Sequence, residues 1–167
     1  MFKEIQPENI RDNAFKLIGK DWMLITAGKP ESFNTMTAAW GGFGFLWNKN
    51  VCFIFIRPNR YTYKFVEENS IFTLSFFEEQ YRGILEFCGQ SSGRDTDKIK
   101  KTGLTVFQSP GGGISFKEAR TVIECRKIYF QDINPKNFAD ASIQNNYSEK
   151  DYHRMYTGEI LHVFNKE

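Results

Sequence analysis

One stretch of this chain says more about its fold than any other, and it reads Phe33-Asn34-Thr35-Met36-Thr37-Ala38-Ala39-Trp40-Gly41-Gly42. Small and aromatic residues alternate over residues 37–46, which predicts a strand that can be approached closely from one side. A turn at residues 48–50 leads into Val51-Cys52-Phe53-Ile54-Phe55-Ile56, which is apolar on both faces. A strand of that kind is expected at the centre of a barrel or covered sheet.

Polar groups accompany both strands. Asn34, Thr35 and Thr37 offer an amide and hydroxyls, and Arg57, Arg60 and Thr62 follow the second strand directly. Arginine and hydroxyl donors recognise phosphate, whereas small and aromatic groups cover a ring. Together they suit a planar, partly apolar ligand with an anionic tail, which is the shape of flavin mononucleotide (FMN). Spacing alone leaves open that the arginines are surface charges and the threonines ordinary strand residues.

The composition is that of a folded globular protein. The 167 residues are 41% hydrophobic and 25% charged, which predicts a single domain over residues 1–167 and argues against disorder. Aromatic residues make up 16% of the chain, with 17 Phe, 7 Tyr and 3 Trp. Because aromatic side chains favour strands and also line ring-binding sites, this excess fits a β-rich fold and an aromatic ligand.

Charge and targeting features narrow the function classes. A net charge of +2 is too small to predict nucleic-acid binding. No window has the roughly 18 apolar residues that a membrane span needs, and residues 1–4 lack a signal-peptide core, so we expect a cytoplasmic enzyme without membrane contact. The three cysteines are odd in number and far apart, which argues against a disulfide framework or a zinc site. No metal ligand set is predicted.

Periodicity and turn residues predict many strands with short helices between them. Helical segments are expected at residues 9–18, 61–68, 77–88 and 95–101, the last of them capped by Asp95. Strands are expected at residues 22–27, 37–46, 51–56, 71–77, 104–107, 114–116, 121–130 and 156–164. This order favours a barrel or sandwich, and no G-x-G-x-x-G motif of a Rossmann dinucleotide site is present.

Two further groups of residues have the chemistry of a binding site. In the first, Cys88 and Gly89 precede the loop Ser92-Gly93-Arg94-Asp95, whose backbone N–H groups can form an anion-binding concavity. The same pattern also fits a simple capped loop. In the second, His153 precedes the last strand, where it could bind a ligand or donate a proton.

Five motifs in order resemble the flavin reductase-like family of FMN-binding split β-barrel proteins, and most of all its flavoredoxin-like branch. The motifs lie in segments 21–28, 33–42, 57–62, 92–98 and 152–160, so the resemblance spans nearly the whole chain. It implies a mainly β fold with short helices, a six-stranded antiparallel Greek-key barrel that forms a homodimer with FMN near the subunit interface.

The resemblance also implies roles for individual residues. Asn34, Thr35, Met36, Thr37 and Ala38 would border the ring and ribityl chain of FMN. The ribityl phosphate end would be held by Arg57, Arg60, Tyr61 and Thr62. The pocket would be closed by Cys88, Gly89, Ser92, Gly93 and Arg94, and His153 would lie where a reductant or substrate meets the ring.

These observations favour an oxidoreductase that binds FMN noncovalently and takes reducing equivalents from NADH or NADPH, as a flavin reductase does. It would pass electrons to free flavin, a partner monooxygenase or another acceptor. The first alternative is a flavoredoxin-like electron-transfer protein that a partner protein reduces. A second alternative is a small barrel that binds single-stranded nucleic acid. Residue patterns do not distinguish NADH from NADPH or identify the acceptor.

Overall fold

A computed structural model describes all 167 residues. The strands are β1 (Phe2–Ile5), β2 (Met23–Lys29), β3 (Ser32–Ala38), β4 (Gly41–Leu46), β5 (Lys49–Ile56), β6 (Ile71–Phe76), β7 (Val106–Gln108), β8 (Ile114–Phe116), β9 (Thr121–Asp132) and β10 (Arg154–Lys166). The α-helices are α1 (Ala14–Lys16), which runs on into a π-helical turn at Leu17–Asp21, α2 (Tyr61–Glu68), α3 (Arg82–Gln90) and α4 (Lys98–Thr102). Short 3₁₀ turns lie at Pro7–Asn9, Glu79–Tyr81, Pro135–Asn137 and Ala141–Asn146. No helix is both long enough and apolar enough to cross a bilayer.

The main sheet is antiparallel throughout and curls on itself. Its strands lie in the order β3-β2-β6-β9-β10-β5-β4, and β1 adds to the far end of β10. The two outer strands, β3 and β4, are consecutive in sequence and only Ala39 and Trp40 separate them. Because so short a connection must join both edges of the sheet, the sheet bends into a split barrel. The predicted mainly β fold with short helices is confirmed.

The barrel interior explains which residues form strands. The apolar run predicted at residues 51–56 becomes β5, in which Val51, Cys52, Ile54 and Ile56 are fully buried. Cys52 also contacts Cys125 of β9, with 3.4 Å between the two sulfur atoms, and both thiols are free. Both therefore act as small core residues.

Gly158 of β10 lies between these two strands. A Cβ at position 158 would overlap the ring of Phe72, so glycine is required there for the core to close.

Several predicted element boundaries were wrong. The strand expected at residues 37–46 is two strands, because the chain bends at Ala39–Trp40 and crosses from one sheet edge to the other. The helix expected at residues 9–18 is a 3₁₀ turn, the short helix α1 and the π turn. Asp97, rather than Asp95, caps α4, since its carboxylate accepts the backbone N–H of Lys100. By contrast, α2 has the predicted bounds.

Candidate functional site

Two neighbouring cavities lie where β3, the start of α2 and the segment after α3 meet. The loop cavity, of about 130 Å³, is lined by Asn34, Met36, Thr37, Asn59, Arg60, Tyr61, Thr62, Cys88, Gly89, Gln90, Ser91, Ser92, Gly93, Arg94 and Lys98. The histidine cavity, of about 180 Å³, is lined by Met36, Thr37, Ala38, Ala39, Trp40, Phe55, Arg57, Arg60 and His153. Met36, Thr37 and Arg60 belong to both linings, so the cavities form one groove.

The structure brings together fourteen of the fifteen site residues predicted from the sequence. Thr35 is the exception. Its hydroxyl lies 2.8 Å from that of Thr26 and also donates to the carbonyl of Ile25, which directs the side chain into the barrel. Thr35 thus stabilises β3 from the barrel interior and does not line the groove.

Asn34 fixes one wall of the loop cavity. Its amide nitrogen donates to the hydroxyl of Thr62 at 2.7 Å, and both residues are buried. Gly93 packs directly on the same amide group, so closely that a Cβ at position 93 would overlap the amide oxygen. These contacts join β3, α2 and the loop after α3 at a single point.

A buried lysine ties the opposite wall together. The ammonium group of Lys98 donates to the carbonyls of Thr35 at 2.7 Å and Cys88 at 2.8 Å, and only 5% of the residue is exposed. Burial lowers the pKa of Lys98. Burial also raises the pKa of the Cys88 thiol, although the neighbouring ammonium opposes the change. Cys88 is therefore a protonated wall residue at neutral pH.

Hydrogen-bond donors without partners in the chain lie close together at the start of α2. No side chain caps this helix, and the backbone N–H groups of Tyr61 and Thr62 have no partner within the chain. The first N–H groups of a helix carry a partial positive charge that favours anions. The guanidinium of Arg60 forms no ion pair, and that of Arg94 lies over the Tyr61 ring, 5.1 Å from its centroid. This end of the groove suits an anionic group.

Arg57 does not join Arg60 in that donor group. Its guanidinium donates to the carboxylate of Asp151 and to the carbonyl of Asn146, each at 2.7 Å, and it lies 5.0 Å from the centre of the Tyr147 ring. The side chain therefore attaches the segment before β10 to the wall of the histidine cavity. Arg57 and Arg60 both line the histidine cavity, but the Arg57 guanidinium is held by these partners whereas that of Arg60 is unpaired.

His153 lies at the other end of the groove and is 8% exposed. Its Nδ1 atom is 2.9 Å from the hydroxyl of Tyr147, and its ring packs against Trp40 with 5.1 Å between centroids. Burial lowers the pKa of His153 to about 4, assisted by the positive charges of Arg57 and Arg60 and opposed by Asp151. The imidazole is therefore neutral at neutral pH. It can form a hydrogen bond, but it carries no imidazolium proton to donate, contrary to what the ordinary pKa of histidine had suggested.

Several lining residues were not predicted. Trp40 and Phe55 bring aromatic rings to the histidine cavity, and Asn59, Gln90 and Ser91 complete the loop cavity. Trp40 lies inside the stretch of residues 33–42 that is most informative about the fold, so its position was a usable signal. The role of Tyr147 depends on a fold of residues 131–151 that no periodicity predicts.

Comparison with protein families identifies the chain. The model of the flavin reductase like domain matches residues 16–167. The chain belongs to the flavin reductase-like family. The family predicted from the five sequence motifs is thus confirmed. A search of curated proteins found no match.

Solved structures share the fold of this family member at low sequence identity. Flavoredoxin from Methanosarcina acetivorans is 18% identical with a TM-score of 0.71, and the match covers 99% of this chain and 76% of that protein. Flavoredoxin of Desulfovibrio vulgaris (Miyazaki F) is 21% identical with a TM-score of 0.70, covering 98% and 78%. The NADH:FAD oxidoreductase SgcE6 of Streptomyces globisporus C-1027 is 13% identical with a TM-score of 0.65, covering 87% and 75%.

Proposed function

We propose that this flavin reductase-like protein is an oxidoreductase that holds FMN noncovalently in the groove and passes reducing equivalents through it. The observation that carries the proposal is the polarity of the groove, which has unpaired donors at one end and aromatic rings at the other. An isoalloxazine ring with a ribityl phosphate has the same polarity. The two cavities together reach only the lower end of the roughly 300–1,000 Å³ usual for small-molecule sites, so part of the ligand would remain uncovered by one chain.

The phosphate would be bound at the start of α2. Arg60 supplies the unpaired guanidinium, and the free N–H groups of Tyr61 and Thr62 add neutral donors. Ser92 and Gly93 provide a loop backbone beside them. Charge-assisted hydrogen bonds to such donors are the strong ones, so this end would supply much of the affinity.

The ring would lie in the histidine cavity. Met36 and Ala38 of β3 line it with apolar side chains, together with the aromatic rings of Trp40 and Phe55. A bound flavin supplies hydride and single-electron chemistry of its own. The neutral imidazole of His153 would orient the ring by hydrogen bonding and would not deliver a proton from an imidazolium at neutral pH.

NADH or NADPH is the proposed reductant, and it would bind transiently against the exposed face of the ring. The name of the similar SgcE6 protein records NADH and FAD as its substrates, which supports a nicotinamide reductant in this fold. The flavoredoxin-like alternative, in which a protein partner supplies the electrons, is supported by two other neighbours of the same fold. Free flavin, a partner monooxygenase or another acceptor would then receive the electrons.

We also propose that residues 1–167 act as one flavin-binding domain in a homodimer. Trp40, Trp47 and Phe130 are 47%, 55% and 50% exposed, which is unusual for large aromatic side chains. Trp40 packs on His153, so a second copy over this face would complete the uncovered part of the groove. Light scattering tests the dimer, and Trp47→Glu should convert it to a monomer, while a monomeric wild type would refute it.

An absorption spectrum tests the function. The purified protein is mixed with FMN, freed of excess ligand, and then treated anaerobically with NADH or NADPH. Bound-flavin bands that bleach with one of the nucleotides would support the reductase. Bands that persist with both, but bleach with a reduced electron-transfer protein, would support the flavoredoxin-like alternative. Failure to retain FMN would refute both.

A further inference from the structure

We propose that Tyr147 is a positioning residue that holds His153 in one tautomer, with the proton on Nε2, so that the ring presents an N–H donor to the groove. The part of this inference that concerns FMN rests on the proposed function. The tautomer itself does not, because it follows from contacts within the chain.

The contact that fixes the tautomer is buried. The Tyr147 hydroxyl and Nδ1 of His153 are 2.9 Å apart, and the two residues are 3% and 8% exposed. Their rings lie nearly perpendicular, at 77° with centroids 5.5 Å apart. The two rings are therefore not stacked, and the hydrogen bond between the hydroxyl and Nδ1 is the polar contact between them.

Only one direction for this hydrogen bond satisfies both groups. The Tyr147 hydroxyl has no other acceptor within reach, so a proton on Nδ1 would leave the phenol O–H buried and unpaired. Leaving a buried donor unpaired is costly. Burial also raises the pKa of Tyr147, which keeps the phenol protonated. The phenol therefore donates, Nδ1 accepts, and the imidazole proton resides on Nε2.

The position of the ring directs Nε2 toward the groove. His153 lines the histidine cavity whereas Tyr147 does not, so the imidazole lies between the hydroxyl and the cavity. The rings of Trp40 and Phe55 also line this cavity and pack on the imidazole, with centroids 5.1 and 6.5 Å from its own, so the nitrogen that does not face Tyr147 is the one left for the groove. An N–H donor there would meet an electron-rich acceptor atom of a bound ring.

Tyr147 is itself held in place from several sides. The Arg57 guanidinium stacks on its ring, and Asp151 binds that guanidinium. The ring of Tyr152 packs beside it with centroids 4.9 Å apart. The charged and titratable groups that face His153 are thus Arg57, Arg60, Asp151 and Tyr147. The two arginines favour the neutral imidazole, which is the state that has tautomers.

Nitrogen-15 NMR of the imidazoles tests the proposal on the full-length protein without flavin at pH 7. The chain has only two histidines. His162 offers an internal reference, because its Nδ1 lies 2.6 Å from the carboxylate of Glu4 and so must carry a proton. We expect His153 to show a protonated Nε2 and an unprotonated Nδ1. Tyr147→Phe should raise the Nδ1-protonated fraction about fivefold, the factor expected for loss of one ordinary hydrogen bond.

Tyr152→Phe is the matched control. It also removes a tyrosine hydroxyl from this aromatic cluster, but that hydroxyl donates to Gln144 and not to His153. It should leave the His153 pattern unchanged. A wild-type His153 protonated on Nδ1, or a tautomer ratio that Tyr147→Phe does not alter, would overturn the proposal. FMN titration of the same variants is separate, so a protein with the expected tautomer that binds no FMN would refute the proposed function alone.

Discussion

Gly93 and Asn34 touch so closely that position 93 has no room for a side chain. The amide of Asn34 in turn donates to Thr62, so the loop after α3, the strand β3 and the helix α2 meet through these residues. A substitution at one point should consequently disturb three walls of the groove.

Gly93→Ala should lower FMN affinity by about tenfold or more and reduce stability by about 1–3 kcal/mol, the usual cost of overpacking. The added methyl group would displace the Asn34 amide and break its bond to Thr62. Gly83→Ala is a matched control, because a Cβ at position 83 of α3 meets no atom within 4 Å. Alanine favours helix, so the control should bind FMN normally and gain up to about 1 kcal/mol. Flavin titration and urea unfolding measure both effects, and equal behaviour of the two variants would contradict the argument.

The two arginines of the groove should differ in what they recognise. Arg60 has no partner in the chain, and Arg60→Gln should weaken FMN binding by about tenfold or more, since charge-assisted hydrogen bonds contribute roughly 1.5–3 kcal/mol. Riboflavin lacks the phosphate, and its affinity should not change in this variant. Titration with both ligands therefore isolates the phosphate contact.

Arg57→Gln provides the comparison. It would release Asp151 and the segment around Tyr147, so it should weaken FMN and riboflavin alike and also lower stability. If Arg57→Gln were the phosphate-selective variant, the assignment of the anionic end of the groove to Arg60 would be wrong.

The stability of the protein should fall between pH 7 and pH 5 because of His153. Its pKa is about 4 in the folded protein against an ordinary value of 6.5. The unfolded chain therefore binds the proton more readily, and acid favours unfolding over this window. The loss should be about 2 kcal/mol.

Carboxylates give a different pH window. Hydrogen bonds from arginine lower the pKa of Asp151 and Asp132 below 3.8, so their stabilising effect is lost only at lower pH. Urea unfolding at pH 5 and pH 7 measures the loss of stability that we attribute to His153, and His153→Gln should remove most of that loss. If the free energy of unfolding of His153→Gln depended on pH as strongly as that of the wild type, another group would be responsible.

The sequence predicted which residues line the groove better than it predicted the contacts that these residues make, and the reason is physical. Motifs such as residues 57–62 lie at strand ends, where topology gathers them, so their order along the chain was informative. The pairing of Arg57 with Asp151 spans 94 residues and depends on the conformation of a segment without periodicity. Tyr147 was missed for the same reason. The strand break at Ala39–Trp40 was also missed, because a bend between sheet edges does not interrupt the alternation of small and aromatic residues.

Lys98→Met should destabilise the protein by about 2 kcal/mol, because two buried carbonyl groups would lose their donor. The ammonium joins Thr35 of β3 to Cys88 of α3, so the loop cavity should also loosen and FMN affinity should fall. Lys100→Met removes an exposed lysine from the same short helix and should change stability by no more than about 0.5 kcal/mol. Urea unfolding without flavin, followed by FMN titration, separates the two effects. If Lys98→Met were as stable as Lys100→Met, the buried lysine would not be what holds β3 against α3.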